Sequence, residues 1–284
     1  MGNTLIFGAG GQLGQCLARV AQERQTEGLI FLDEAEGNIL DPAGLAVLFA
    51  RHRPAYVVNC AAYTAVDKAE DEVELARRIN RDGVENLARC CAAHGSVLVQ
   101  ISTDFVFAGT GNAPLTETEA TVPASTYGRT KLEGEQVIPA LTGRYFILRT
   151  SWLYSEFAGN FLKTMRQLGA GRDELRIIWD QLGTPTYGID LASCILHLIE
   201  SQSQEFGLYH YSNEGVASWY DFATAIFELS GMPVRTVPIR TAEYPTKAQR
   251  PAYSVLDKSK IKSRLGVVIP HWRVSLKACL NQLA

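Results

Sequence analysis

The sequence predicts an α/β fold: a Rossmann-type, doubly wound and mostly parallel sheet with a smaller C-terminal lobe. Three observations carry this. Short apolar runs alternate with amphipathic stretches through the first 150 residues, a glycine cluster follows the first run, and the rhythm breaks after Trp152. Strands alternating with helices imply a parallel sheet covered on both faces.

Thr4-Leu-Ile-Phe7 is the first strand, and an amphipathic helix fills roughly 12–25. The run 28–32 is a second strand, ending at Asp33. Asp41-Pro42 is an N-cap followed by Pro at the first helical position, and the helix runs to about Arg51. Tyr56-Val-Val-Asn-Cys60 is a third strand. One long helix is expected over 71–94, ending near His94-Gly95. Strands at 96–101 and 145–149 enclose a helix from Tyr127 to about Val137. Further on, 160–168 and 190–200 are helical, and Arg176-Ile-Ile-Trp179 is a candidate for a further sheet strand. From Gln204 the pattern is irregular, with aromatics and prolines. The expected division is a dinucleotide-binding unit of 1–150 plus about 175–200. Residues 151–174 and 201–284 form the substrate-binding lobe.

The chain has 284 residues, 46% hydrophobic and 20% charged, enough for a large core in one big domain or two modest ones. A net charge of -3 gives no support for nucleic-acid or membrane-surface binding. Cys16, Cys60, Cys90, Cys91, Cys194 and Cys279 make no Cys-x-x-Cys or Cys/His pattern, so no metal site is expected. They fit reduced, mostly buried thiols in a cytoplasmic protein. The N-terminal apolar run is too short for a signal peptide, and no run reaches the ~18 apolar residues of a membrane span.

Gly8-Ala-Gly-Gly11-Gln-Leu-Gly14 lies between strand and helix. Glycines there permit a tight turn and bring a pyrophosphate onto backbone N–H groups at the helix start. The spacing G-x-x-G-x-x-G differs from the common G-x-G-x-x-G, and its position in the chain gives it weight. Asp33 is placed to accept from the adenosine ribose hydroxyls, and no Arg or Lys lies between it and Asp41. That favours NADH over NADPH. Asn59-Cys-Ala-Ala-Tyr-Thr64 offers small residues beside the glycine loop, which suit either cofactor approach or tight packing.

Ser102-Thr103-Asp104 closes the fourth strand, and Tyr127-Gly-Arg-Thr-Lys131 opens a helix. Tyr and Lys at i, i+4 share a helix face. An ammonium beside a phenol favours the phenolate and lowers a pKa normally about 10. Tyr127 is therefore the candidate general acid, with Lys131 holding the nicotinamide ribose. The Thr103 hydroxyl can polarise the same carbonyl oxygen. A lone Tyr-x-x-x-Lys is commonplace; the order glycine loop, strand-end Thr, Tyr, Lys is what points to carbonyl reduction. The histidines show no metal spacing, and no Gly-x-Ser-x-Gly elbow is present. Asp67, Glu70, Asp71, Glu72 and Glu74 fit a solvated helix start.

With these pieces stand Asn59-Cys-Ala-Ala-Tyr-Thr-Ala-Val-Asp-Lys-Ala-Glu70, Ser102-Thr-Asp-Phe-Val-Phe107 and Tyr127-Gly-Arg-Thr-Lys-Leu-Glu-Gly-Glu135. Arg149-Thr-Ser-Trp-Leu-Tyr154, Asp180-Gln-Leu-Gly-Thr-Pro-Thr186 and Arg250-Pro-Ala-Tyr-Ser-Val-Leu-Asp257 follow in order. In them the chain resembles the extended short-chain dehydrogenases/reductases and, within these, the dTDP-4-dehydrorhamnose reductase (RmlD-type) family. The resemblance implies reduction of the 4-keto group of dTDP-4-dehydro-β-L-rhamnose by NADH or NADPH. It assigns catalysis to Thr103, Tyr127 and Lys131. It also sets Trp152 against the sugar or nucleotide, and Arg250 near the substrate pyrophosphate.

The candidate cofactor contacts are Gly8, Gly11, Gln12, Leu13, Gly14, Asp33, Asn38, Ile39, Ala61, Ala62, Tyr63, Tyr127 and Lys131. The candidate substrate contacts are Thr103, Asp104, Phe105, Tyr127, Trp152 and Arg250. Four positions depart from the family pattern: Phe105 for Tyr, Tyr253 for Asn, Asn38 for an acid, and Cys16 for a Glu that some members use in a metal-bridged dimer. A homodimer stays compatible with the sequence, without that metal-bridged mode. Two alternatives stay open: reduction of another nucleotide 4-keto-6-deoxy sugar, and a non-catalytic role like that of the regulatory subunit of methionine adenosyltransferase. Phe105 after Asp104 argues against dehydration, which uses an acid pair there.

Overall fold

A computed structural model describes residues 2–283 of the chain. In chain order it begins with β1 (Thr4–Phe7), α1 (Gln12–Arg24), β2 (Leu29–Leu32), α2 (Pro42–His52) and β3 (Tyr56–Asn59). Two short helices follow, α3 (Val66–Ala69) and α4 (Val73–Arg77), and a π-helical turn (Arg78–Asp82) leads into α5 (Gly83–His94). Then come β4 (Val97–Thr103), α6 (Thr126–Leu141) and β5 (Tyr145–Thr150). Asp41 caps α2 as expected, accepting from Ala43 N at 3.1 Å, and Gly95 ends α5 with φ +68°. Ser125 caps α6 by accepting from Gly128 N.

The expected helix over 71–94 is interrupted by the π-helical turn. Its buried Asn80 accepts from Tyr63 N at 2.9 Å and donates to Tyr63 O and Thr130 Oγ1. One widened turn lets a helix side chain serve a neighbouring loop and α6 together.

The remaining elements are β6 (Leu153–Tyr154), α7 (Phe161–Gly169), β7 (Glu174–Ile178), β8 (Leu182–Gly183), β9 (Thr186–Tyr187) and α8 (Gly188–Ser201). After these come β10 (Gly207–His210), β11 (Ala217–Ser218), α9 (Trp219–Leu229), β12 (Arg235–Ile239), α10 (Ser259–Leu265) and α11 (Trp272–Gln282). None of the described helices is long and apolar enough to cross a membrane.

The main sheet has the order β10-β5-β4-β3-β1-β2, and all its pairings are parallel. Successive strand residues face opposite sides. Ile6, Val58 and Val99 pack with α1 and α8 in one core, while Leu5, Val57 and Leu98 pack with α2, α5 and α6 in the other. That double burial explains the unbroken apolar runs of the sequence. A further core joins Leu162 and Met165 of α7 to Phe222 and Ile226 of α9 and Leu276 of α11.

Two strand placements differ from the sequence reading. The expected sheet strand near Arg176 forms as β7, but it pairs with β12 outside the main sheet. Its residues alternate between exposed and buried, the mark of a strand covered on one face. Residues 207–210, assigned to the lobe, run beside β5 as β10 and complete the main sheet. The stretch beyond Gln204, expected to be irregular, also holds three helices.

Helix α6 sits close on the π-helical turn. A Cβ on Gly134 would lie 2.1 Å from the backbone oxygen of Asn80. Backbone cannot yield as a side-chain tip can, so Gly134→Ala should destabilise the protein by ~1–3 kcal/mol, as overpacking does. Thermal unfolding measures this; an unchanged Tm would contradict the packing.

Candidate active site

The chain passes from β1 to β2 on one side and returns to β3 on the other, which opens a crevice beyond the strand ends. Gly8, at the end of β1, has φ +77°, and a Cβ there would lie 2.6 Å from Ala61 N. Gly14, in the first turn of α1, would place a Cβ 2.5 Å from Gly8 O. Any side chain would fill this cradle or push β1, α1 and the segment after β3 apart. Gly11 precedes α1 without a side-chain cap, and the first turn carries no acid. The helix start is thus free to receive an anion.

Two adjoining cavities follow the crevice. One, of ≈ 570 Å³, is lined by Gly8, Gly11, Asp33, Asn38, Ile39, Ala61 and Ala62. The other, of ≈ 610 Å³, is lined by Gln12, Leu13, Thr103, Asp104, Phe105, Tyr127, Lys131, Trp152 and Arg250, and shares Gly11, Ala61 and Ala62 with the first. Each volume suits a ligand of drug-like size. The cradle, the uncapped helix start and the paired cavities fit a dinucleotide.

Asp33 Oδ1 accepts from Ala35 N and Glu36 N at 2.9 and 3.0 Å, which folds the loop after β2. Asn38 Oδ1 accepts from Leu40 N, and the Ile39 carbonyl accepts from Asn86. Tyr63 departs from its expected place: its hydroxyl donates to Glu72 at 2.6 Å, and it lines neither cavity. That hydrogen bond to a carboxylate pushes its phenol up to about 12.

Thr103 ends β4, and Tyr127 and Lys131 come from the first turns of α6. All three line the larger cavity. Thr103 Oγ1 donates to Asp104 Oδ1 at 3.1 Å and accepts from Phe105 N at 3.2 Å. The Phe105 ring meets Tyr127 edge to face, with centroids 5.5 Å apart. Lys131 Nζ donates to the Ile101 carbonyl at 2.6 Å.

The expected lowering of the Tyr127 pKa by Lys131 is not found. Burial pushes the phenol up to about 12, opposed by the hydrogen-bonding Thr103 hydroxyl. The same burial brings Lys131 down to about 8, opposed by Glu135. Desolvation outweighs the i, i+4 pairing because the ammonium is turned to a β4 carbonyl. Asp104 is 1% exposed, and burial raises its carboxyl to about 6. Its Oδ2 has no hydrogen-bond partner among the described residues.

Trp152 and Arg250 reach the cavity but are already engaged. Trp152 stacks on Trp219 with centroids 3.6 Å apart and planes 7° from parallel. A Cβ on Gly183 would press against the Trp152 ring at 2.7 Å. Trp152 also has a left-handed backbone, φ +46°. Ala158, in the same lining, shares that conformation, with φ +52°. Arg250 binds Asp67 through both terminal nitrogens, at 3.1 and 2.7 Å. The guanidinium holds the Asp67 carboxyl below its ordinary range.

The acid cluster is therefore more than a solvated helix start. Glu70 accepts from Thr126 N and Oγ1, both at 2.8 Å, and fixes the N-terminus of α6. Asp71 pairs with Lys247. Sequence reasoning missed Trp219, although Ser218-Trp-Tyr-Asp221 is a capping box before an apolar run. It also missed Asn160, whose amide donates to Gln12 Oε1 at 2.8 Å and ties α7 to the glycine loop.

Residues 2–284 match the RmlD substrate binding domain family. The chain is 39% identical over 287 residues to the dTDP-4-dehydrorhamnose reductase of Aggregatibacter actinomycetemcomitans, covering 98% of each chain. The dTDP-4-dehydrorhamnose reductase structure from Clostridium acetobutylicum is 41% identical, with a TM-score of 0.94 and 99% of each chain covered. The Bacillus anthracis structure of that reductase in complex with NADP is 37% identical, also at TM-score 0.94, with 99% of this chain and 100% of that one covered. The chain belongs to the RmlD substrate binding domain family.

Proposed function

We propose that the chain reduces the 4-keto group of dTDP-4-dehydro-β-L-rhamnose, giving dTDP-L-rhamnose, with NADH as the preferred cofactor. The observation that carries this is the convergence of Thr103, Tyr127 and Lys131 on one cavity beside the glycine loop. The full-length likeness to dTDP-4-dehydrorhamnose reductases supports the substrate.

A bound nicotinamide supplies the hydride. Gly8, Gly11 and Gly14 leave room for the pyrophosphate, and the uncapped start of α1 offers N–H groups to it. Tyr127 holds its proton at neutral pH, as its raised pKa requires. It gives that proton to the carbonyl oxygen as negative charge develops there. Turning the Thr103 hydroxyl from Asp104 toward the same oxygen adds a second donor. Lys131, one helical turn from Tyr127 and lining the same cavity, would hold the ribose.

The Bacillus anthracis relative is in complex with NADP. Here the adenosine end of the crevice carries Asp33 and Glu34, and no Lys, Arg or His is among the described residues that line it. Glu36 stands in the same turn, its Oε2 accepting from Asp33 N. A 2′-phosphate would meet Asp33 and Glu34, with Glu36 the third carboxylate of the same turn.

Loss of NADH absorbance with dTDP-4-dehydro-L-rhamnose, and identification of dTDP-L-rhamnose as product, tests the activity. Folded protein that binds NADH but leaves the keto-sugar unreduced would sink it. Tyr127→Phe should keep NADH affinity and lose turnover by ~10²–10⁴-fold, the usual effect of a general acid. Full activity in that variant would remove Tyr127 from the mechanism. For the cofactor, kcat/KM should favour NADH over NADPH about tenfold, or ~1.4 kcal/mol. A preference for NADPH would overturn the role given to the three carboxylates.

A further inference from the structure

Beneath Lys131 a buried polar network crosses from helix to sheet. Glu135 follows Lys131 by four residues on α6, so both lie on one face. Its carboxylate accepts from Arg149 Nε at 2.9 Å and Nη2 at 2.6 Å. Ser102, the residue before Thr103, donates its hydroxyl to Glu135 Oε1. Lys131 itself donates to the Ile101 carbonyl, one residue earlier on β4. Two adjacent residues of the strand that ends in Thr103 are thus pinned to the helix that carries Tyr127.

The other groups around this network carry no charge that could replace Glu135. Cys60, at the exit of β3, acts on Lys131, but burial pushes its thiol up to about 12. His210, on β10, lies 3.5 Å from Arg149, and burial brings it down to about 3, so it is neutral. Asp104 acts on Tyr127, not on Lys131. Arg149, on β5, is neutralised by Glu135. Among the described residues, Glu135 is the one carboxylate that bears on Lys131.

We propose that Glu135 is a positioning residue for the reduction: it sets a buried carboxylate one helical turn beyond Lys131 and fixes the strand of Thr103 against the helix of Tyr127. This rests on the reductase reading above. The sign follows from the charge. Lys131 is an ammonium below about pH 8 and loses its proton above it. Removing the carboxylate removes a cause that raises this pKa, so the ammonium is lost at lower pH.

The test measures kcat/KM with keto-sugar, and NADH affinity by fluorescence, across neutral to alkaline pH. Wild type is compared with Glu135→Gln, Ser102→Ala, and the double variant Glu135→Gln/Arg149→Met. The double variant keeps the test sound where Glu135→Gln alone strands Arg149 and fails to fold. Glu135→Gln should move the alkaline limb of both readouts down by ~1 pH unit, as loss of a nearby opposite charge does, and the double variant, which also loses the Arg149 charge, should move it the same way by less. Ser102→Ala, which keeps the charge, should lower kcat and leave the limb in place. A folded variant without the Glu135 charge whose limb stays at the wild-type pH in both readouts would falsify the proposal. No turnover by wild type would remove the reductase reading and leave the NADH affinity profile to decide the role of Glu135.

Discussion

The close approach of β1 to the segment after β3 is the constraint on which the rest depends. Parallel neighbours whose connections leave on opposite sides open a crevice at their ends. Here the backbone of Gly8 passes so close to Ala61 that a Cβ would lie 2.6 Å from its nitrogen, and at φ +77° a glycine is the residue that fits. That turn brings the uncapped start of α1 to the cavity, which Gly11, Gln12 and Leu13 line. Thr103, the last residue of β4, then faces the same space as the first turns of α6.

Burial governs the chemistry of that centre more than pairing does. Tyr127 goes up, Lys131 comes down and Asp104 goes up, in each case with desolvation as the largest cause. Each shift favours the neutral form. Nearby charges then decide how far each group moves: Glu135 restrains Lys131, while Asp104 adds to the rise of Tyr127. The result is a buried phenol that holds its proton at neutral pH, as the proposed general acid must. A sequence pattern of Tyr and Lys four apart cannot express this, because it contains the pair and not the dielectric around it.

Local signals in the chain were faithful where the structure is local. The Asp41-Pro42 start of α2, the Gly95 stop of α5 and the glycine turn before α1 all follow from neighbouring residues. The order Gly8, Thr103, Tyr127, Lys131 also survives folding, because a doubly wound sheet brings successive strand ends to one edge. Choices between distant partners left no such trace. Nothing near Arg176 says that β7 will pair with β12 rather than join the main sheet. Likewise nothing near Tyr63 says that its hydroxyl will turn to Glu72, or near Arg250 that Asp67 awaits it across the fold. Glu135 stood inside a recognised motif, yet its weight comes from Arg149 and Ser102, which periodicity does not connect to it.

The engaged state of Arg250 and Trp152 bears on how the cavity meets a nucleotide sugar. Asp67 and the Ala248 carbonyl occupy both terminal nitrogens of Arg250. A guanidinium has five N–H donors, so this pairing fixes its plane and still leaves donors for a phosphate. Asp67 is partly exposed, and a pair of that kind is weak enough to be shared. The Trp152 ring has less freedom, since one face lies on Trp219 and Gly183 leaves only the space that a missing Cβ gives. Its indole is therefore a fixed wall of the cavity. Side chains held this way need little further ordering when a ligand binds, so in the proposed reaction more of the interaction energy would remain for placing the carbonyl beside Tyr127.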